Sequence, residues 1–274
     1  MQRKILWVFL VLWLTLTAYL LFLSDKWASA APAPATISAE TFNNMLREAL
    51  RKDPDLLLEI LRSNSESVLD IAQEGSNQRR RKALLTQWKS ELNQSKAVEL
   101  KGRPLRGATD AAVTIVAFSD FTCPYCQQGA VTVQKLLSDY NGKINYVFKH
   151  FPLEGEGVAR LAAEYHAAAG LQGNDKSWQY YDMLFSRRAE LLKDGESALI
   201  KAAKDIGLDT RRLATDVKSK AVREMVTADM AEAAKLGVQG TPYFLVNNLV
   251  VRGALSPELF SEAINMALQA TGKK

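Results

Sequence analysis

Cys123 and Cys126 are the only cysteines of this 274-residue chain, and only Pro124 and Tyr125 separate them. Two thiols at that spacing can interconvert between a dithiol and a disulfide. One thiolate attacks a foreign disulfide to form a mixed disulfide, and the second clears it. The same pair could instead be a small structural staple or half of a metal site. A zinc or copper site needs further ligands, and the two histidines, His150 and His166, lie far apart in sequence, outside the usual His-x(3–5)-His spacing.

The elements that must position the pair can be read on either side of it. Val113-Thr114-Ile115-Val116-Ala117-Phe118 is short, β-branched and continuously apolar, as expected of a strand buried on both faces. After the pair, Ala130, Val133, Leu136 and Leu137 recur at helical spacing up to a stop at Asn141-Gly142. Cys123 therefore falls where a strand hands over to a helix, with Pro124 at the first helical position, where a missing N–H costs nothing. Unpaired N–H groups and the positive end of the helix dipole favour a thiolate there. Cys126, one turn further in, lacks that advantage. The expected division of labour is an exposed nucleophile, Cys123, and a more buried resolving thiol, Cys126.

The compartment bears on that chemistry. Gln2-Arg3-Lys4 is a basic lead, Ile5 to Leu23 an uninterrupted apolar run, and Ala28-Ser29-Ala30 a set of small residues at a cleavage position. Residues 1–30 are thus expected to be a signal peptide or a membrane anchor, with residues 5–23 able to tether the protein to an inner membrane. Either way the rest of the chain is exported, to the periplasm in a bacterial-type cell, where disulfides are made and reshuffled. The net charge of +5 is mild. The one basic run, Arg79-Arg80-Arg81-Lys82, is the solvated face of a helix, and no nucleic-acid partner is expected. A composition that is 47% hydrophobic is enough for a full core.

Residues 31–37 form a Pro/Ala linker. Ser38 caps a helix with the stripe Phe42, Met45, Leu46, Ala49 and Leu50, and Asp53-Pro54 restarts a second with Leu57, Leu58 and Leu61. After a break at Ser63-Asn64-Ser65 come Val68, Leu69 and Ala72, and then a last helical pattern with Leu84, Leu85, Trp88 and Leu92. These amphipathic helices over 38–95 have two possible uses: folding back on the main domain, or packing against further copies of the chain. Ala97 to Leu100 is expected to be an edge strand and Lys101 to Ala112 a loop. Lys143 to Lys149 reads as a strand ending at His150-Phe151-Pro152. Residues from about 155 to 236 are helical, with Trp178 and Tyr181 as core. Gly240-Thr241-Pro242 then precedes an apolar strand from Tyr243, a short strand Leu249-Val250-Val251 and a helix capped by Ser256 with Pro257 at its first position.

Phe-x-Asp-Phe-x-Cys-Pro-Tyr-Cys over 118–126 together with Gly240-Thr241-Pro242, joined by a helical insertion, resembles the DsbA-type thioredoxin-fold family of exported thiol:disulfide oxidoreductases over residues 97–272. The helices of 38–95 resemble the extensions of oligomeric members such as the ScsC group. The resemblance implies an α/β thioredoxin fold with an inserted helical domain, and a cis Pro242 lying against Cys123. It also implies that Pro124 and Tyr125 tune the redox poise and that Thr241 and Pro242 dock an extended substrate segment. Its implied partners are exported proteins bearing cysteines and a redox partner that resets the pair, with no metal or organic cofactor. One position departs from the pattern: Ala117 stands where members often carry a buried acid, which leaves the proton path at Cys126 unassigned, with Lys149 or water as candidate substitutes. Two other function classes fit parts of the sequence. A copper-binding or copper-resistance partner would use the thiolates as soft ligands, and a glutathione-transferase-like enzyme on a related fold would not need Cys126.

Overall fold

The computed structural model describes residues 12–24 and 37–272, which divide into two units, up to Glu74 and from Gly75 onward. The signal-peptide cleavage positions, the basic lead and nearly all of the Pro/Ala linker lie outside the described residues. Residues 12–24 are helical, and among the described residues no helix is long and apolar enough to cross a membrane.

In the first unit, α1 (Ala39–Lys52) starts at Ser38, whose hydroxyl accepts the Thr41 N–H at 3.1 Å. Helix α2 (Asp55–Ser63) follows the Asp53-Pro54 restart. Neither helix buries a single residue: Phe42, Met45, Leu46, Leu57, Leu58 and Leu61 all lie open. The two helical patterns expected between Ser65 and Leu92 are one helix, α3 (Ser65–Glu91), in which Gly75-Ser76-Asn77 is followed by the good helix formers Gln78, Arg79, Arg80, Arg81 and Lys82.

The second unit is built on a five-stranded sheet ordered β1-β3-β2-β4-β5. Its centre is β2 (Val113–Ser119), parallel to β3 (Ile144–His150) and antiparallel to β4 (Tyr243–Val246). The outer strands are β1 (Leu105–Gly107) on β3 and β5 (Leu249–Arg252) on β4, both antiparallel. Helix α4 (Pro124–Asp139) connects β2 to β3, and α11 (Pro257–Ala270) follows β5. Between β3 and β4 come α5 (Val158–Gly170), α6 (Asn174–Ser186), α7 (Arg188–Asp194), α8 (Glu196–Asp205), α9 (Thr210–Asp216) and α10 (Lys220–Lys235). This is an α/β thioredoxin-like fold with inserted helices, preceded by N-terminal helices.

Strand alternation sorts the core onto two faces. Ile115 and Ala117 pack with Val133 and Leu136 of α4, with Phe260 and Ile264 of α11, and with Trp178, Tyr181 and Phe185 of the insertion. Val116 and Phe118 point the other way, to Tyr243, Leu245 and Ala233 of α10.

Two sequence expectations are corrected. Ala97 to Leu100 is not a strand: the Glu99 N–H donates to the Glu232 carboxylate at 2.7 Å rather than to a ladder. The edge strand is instead Leu105–Gly107, inside the segment expected to be loop. Gly107, at φ +100°, permits that pairing, because a Cβ there would meet the Ile144 carbonyl oxygen at 2.8 Å. The end of α3 is likewise committed to its own sheet. Fully buried Trp88 donates its indole N–H to the Val250 carbonyl at 2.7 Å, and Glu91 accepts the Val250 N–H at 2.8 Å. The free edge of β5 is thereby covered.

Candidate active site

Cys123 caps α4 with extended backbone (φ −79°, ψ 126°), and Pro124 occupies the first turn. Its carbonyl accepts the Gln127 N–H at 3.2 Å, and its thiol donates to the Thr241 carbonyl at 3.7 Å. That contact brings the first cysteine together with Thr241, a residue implied to dock substrate, and the Thr241–Pro242 bond is cis. Helix α4 comes close beneath this loop. A Cβ on Gly129 would lie 2.9 Å from Phe244 Cζ and 3.4 Å from Pro242 Cγ.

Both cysteines are free thiols with strongly divergent acidities. The Cys123 thiol is pushed down to about 5 from an ordinary 9.0, chiefly by the hydrogen bond from the Cys126 side chain. Burial opposes this, and the Thr241 side chain and the N–H groups of Cys126 and Tyr125 add to the lowering. Cys126 is pushed far up, by burial first and by its hydrogen bond to Cys123 second, with Ser119, Thr241 and the Asp120 N–H only partly offsetting. The Thr241 hydroxyl is buried and otherwise unpartnered, and it favours the ionised form of either sulfur.

Two expectations need correcting here. Cys123 acquires its acidity mainly from a direct hydrogen bond by its partner thiol, with the backbone N–H groups of the helix start contributing less. It is also not an open residue: Cys123 is 6% exposed against 1% for Cys126, and the exposed members of the motif are Pro124 and Tyr125, the latter at 60%.

Lys149 does not stand in for an acid at position 117. It pairs in register with Phe118, on the α10 face, where its ammonium binds Glu232 and lies 3.4 Å from Asp229. Ala117 and Ser119 belong to the opposite alternation, toward α4, and the polar groups at the Cys126 sulfur besides Cys123 are the Ser119 and Thr241 side chains and the Asp120 N–H, the last at 3.4 Å. The two histidines, remote in sequence, meet in the fold. His150 Nε2 is 2.9 Å from His166 Nδ1, His150 Nδ1 is 2.9 Å from Asp229 Oδ2, and Ser177 Oγ is 3.3 Å from His166 Nε2. Burial pushes both imidazoles below the ordinary histidine range.

Several site residues escaped the sequence reading. Asp120 stood inside the quoted motif, but its role depends on partners such as Leu153 that only folding supplies. Arg188 at the start of α7 donates to the Thr122 carbonyl at 2.7 Å, and Gln127 donates to the Phe185 carbonyl at 2.6 Å. Nothing in residue type or spacing announced either. Phe121 fills the space between turn and insertion, with its ring centroid 4.9 Å from Phe148, 5.2 Å from His166 and 4.8 Å from Phe185.

A family model described as thioredoxin matches residues 99–266. Among curated proteins, the chain is 33% identical to a probable disulfide bond formation protein D of Bacillus cereus, over 52% of this chain and 68% of that one. It is also 34% identical over 168 residues to a Na(+)/H(+) antiporter NhaA 1 of Salinispora arenicola, of which it spans only 25% of the length. Among solved structures, a thioredoxin-like oxidoreductase from Silicibacter pomeroyi superposes with TM-score 0.55 at 27% identity, covering 66% of this chain and 96% of that one. A linker-deletion variant of Proteus mirabilis ScsC shares the fold at 19% identity and TM-score 0.54, over 86% of this chain and 99% of that one. The family model spans more than half of the chain, so the chain belongs to the thioredoxin family, and with the thiol pair at the start of α4 and six helices inserted between β3 and β4 its fold is DsbA-like.

Proposed function

We propose that this protein is an exported thiol:disulfide oxidoreductase that exchanges disulfides with cysteines of other exported proteins. The observation that carries the reading is the pair of free thiols two residues apart at the start of α4, with Cys123 Sγ 3.7 Å from the Thr241 carbonyl. A Cys123 thiolate attacks a substrate disulfide, forming the Cys123–substrate bond and releasing one substrate thiolate. Cys126 then loses its proton and attacks Cys123 Sγ, which releases the second substrate thiolate and leaves the protein oxidised by two electrons. In reverse, the Cys123–Cys126 disulfide oxidises a substrate dithiol, and a redox partner resets the pair. A stabilised Cys123 thiolate stabilises the reduced protein, so the geometry favours disulfide donation. Pro124 and Tyr125 tune that poise, and Thr241, whose carbonyl faces Cys123, docks an extended substrate segment with Pro242. In a scrambled-substrate refolding assay, Cys123→Ala is expected to abolish turnover, and Cys126→Ala to trap substrate as a mixed disulfide. Full activity of Cys123→Ala contradicts the reading.

The remaining assignments follow the same division of the chain: a signal or anchor over 1–30, a linker over 31–37, a helical extension over 38–95 and the redox domain over 97–272. Within the extension, the exposed stripe of α1 and α2 is the part available for self-association, because Trp88 and its neighbours already cover β5. Light scattering should give a multiple of the 30.4 kDa chain mass, and Phe42→Asp with Leu46→Asp should return it to one chain. An unchanged mass rejects self-association through this stripe.

A further inference from the structure

Asp120 is 2% exposed, and each of its polar groups is engaged around the thiol pair. Its N–H donates to Cys126 Sγ at 3.4 Å, and its carbonyl accepts the Cys123 N–H at 3.2 Å. Oδ1 accepts from the Thr122 N–H at 2.7 Å and the Thr122 hydroxyl at 2.8 Å. Oδ2 reaches across to the Leu153 N–H at 2.9 Å, in the loop between β3 and α5. That loop presents Leu153, 53% exposed, so it and Tyr125 are large apolar side chains held open on segments tied to one turn.

We propose that Asp120 is a positioning residue that locks the nucleophile's turn, the resolving sulfur and the Leu153 loop into one unit, with the loop forming part of the substrate-protein surface. The inference rests on the exchange activity proposed above. The two ends of the side chain have separable jobs. The Oδ1 end holds Thr122 and so sets where the Asp120 N–H meets Cys126, which governs resolution. The Oδ2 end holds Leu153, which governs how an extended substrate lies beside Cys123. Loss of the acceptor for the Leu153 N–H would untie the loop from the turn, and misplacement by about 1 Å is enough to cost on the order of a hundredfold in a positioned reaction.

The test uses the full chain as wild type, Asp120→Ala and Asp120→Asn, with exchange against a disulfide-bearing peptide resolved into kcat and KM, and mixed disulfide quantified after acid quench. Asparagine can keep its oxygen toward Thr122 but then points an amide N–H at Leu153. Asp120→Asn is therefore expected to raise KM by about tenfold with resolution and kcat intact. Asp120→Ala is expected to accumulate mixed disulfide as well, at least about tenfold above wild type. A purely structural role would lower the unfolding midpoint of both variants without either effect. Wild-type KM in Asp120→Asn overturns the proposal even if Asp120→Ala does not fold. Cys123→Ser in the same assay separates the two readings, since persistent exchange there refutes the activity itself, whereas normal exchange in the Asp120 variants alone refutes only the positioning role.

Discussion

At the scale of single residues, the site turns on one proton unequally shared between two sulfurs. Cys126 donates to Cys123, which holds Cys123 acidic and Cys126 resistant to ionisation. Absorbance at 240 nm should therefore show a thiolate titrating near pH 5 that vanishes in Cys123→Ser, and whose midpoint rises in Cys126→Ala. A midpoint unaltered by Cys126→Ala contradicts that cause. The same shift makes a stability statement. The folded pKa lies below the unfolded one, so between about pH 5 and 9 the unfolded reduced chain binds a proton that the folded one has released. Stability of the reduced form therefore rises with pH through this window, by at most about 1.4 kcal/mol per unit, and is lost as pH falls through 5. Buried His150 and His166, whose pKa values are lowered, act in the same direction below their ordinary 6.5, so only the difference between wild type and Cys123→Ser isolates the thiol. Denaturant titrations of both reduced proteins at pH 5 and pH 7 check the sign. The identity of the redox pair and the site of Pro124 were legible from residue types alone. The dominant cause of the acidity was not, because a hydrogen bond between side chains depends on rotamers that spacing does not specify.

At the scale of elements, the thiol pair is held by what packs behind and beside its turn. Helix α4 approaches the cis-proline loop at Gly129, and Phe244, against which a Cβ would press, is itself buried edge-on to Phe260 with ring centroids 5.1 Å apart. Gly129→Ala is expected to cost about 1–3 kcal/mol by overpacking, measurable as a lower denaturation midpoint; an unchanged midpoint would mean that Phe244 moves freely. Arg188 anchors the insertion to the turn through the Thr122 carbonyl, and Arg188→Ala should cost about 1.5–3 kcal/mol as the loss of a charged hydrogen bond. Strands Val113–Ser119 and Ile144–His150 were readable because the first is a continuous apolar run and the second alternates, and the helix from Pro257 because its cap and first-turn proline are explicit. The three-residue edge strand at Leu105 was not. Its segment carries Gly102, Pro104 and Gly107, the composition of a loop, and its pairing is imposed by β3. The meeting of His150 with His166 was equally invisible, since it requires the insertion to fold back onto the end of β3.

At the scale of the whole molecule, a conventional redox fold is joined to helices whose apolar side chains are left open, and to an apolar N-terminal segment of which only residues 12–24 are described. The sequence pattern located these helices but not where the stretch 38–95 changes role: α1 and α2 bury nothing, whereas Trp88 is fully buried against the sheet. Truncations that remove Trp88 would uncover β5, so changes confined to the α1 and α2 stripe are the ones that report on assembly. The most direct measurement is the equilibrium of the Cys123–Cys126 pair in the full chain against glutathione buffers, read by alkylation and mass. A thiolate stabilised in the reduced state predicts a potential clearly more oxidising than the roughly −270 mV of a thioredoxin. A value at or below about −270 mV, or no equilibration with glutathione at all, would contradict the account.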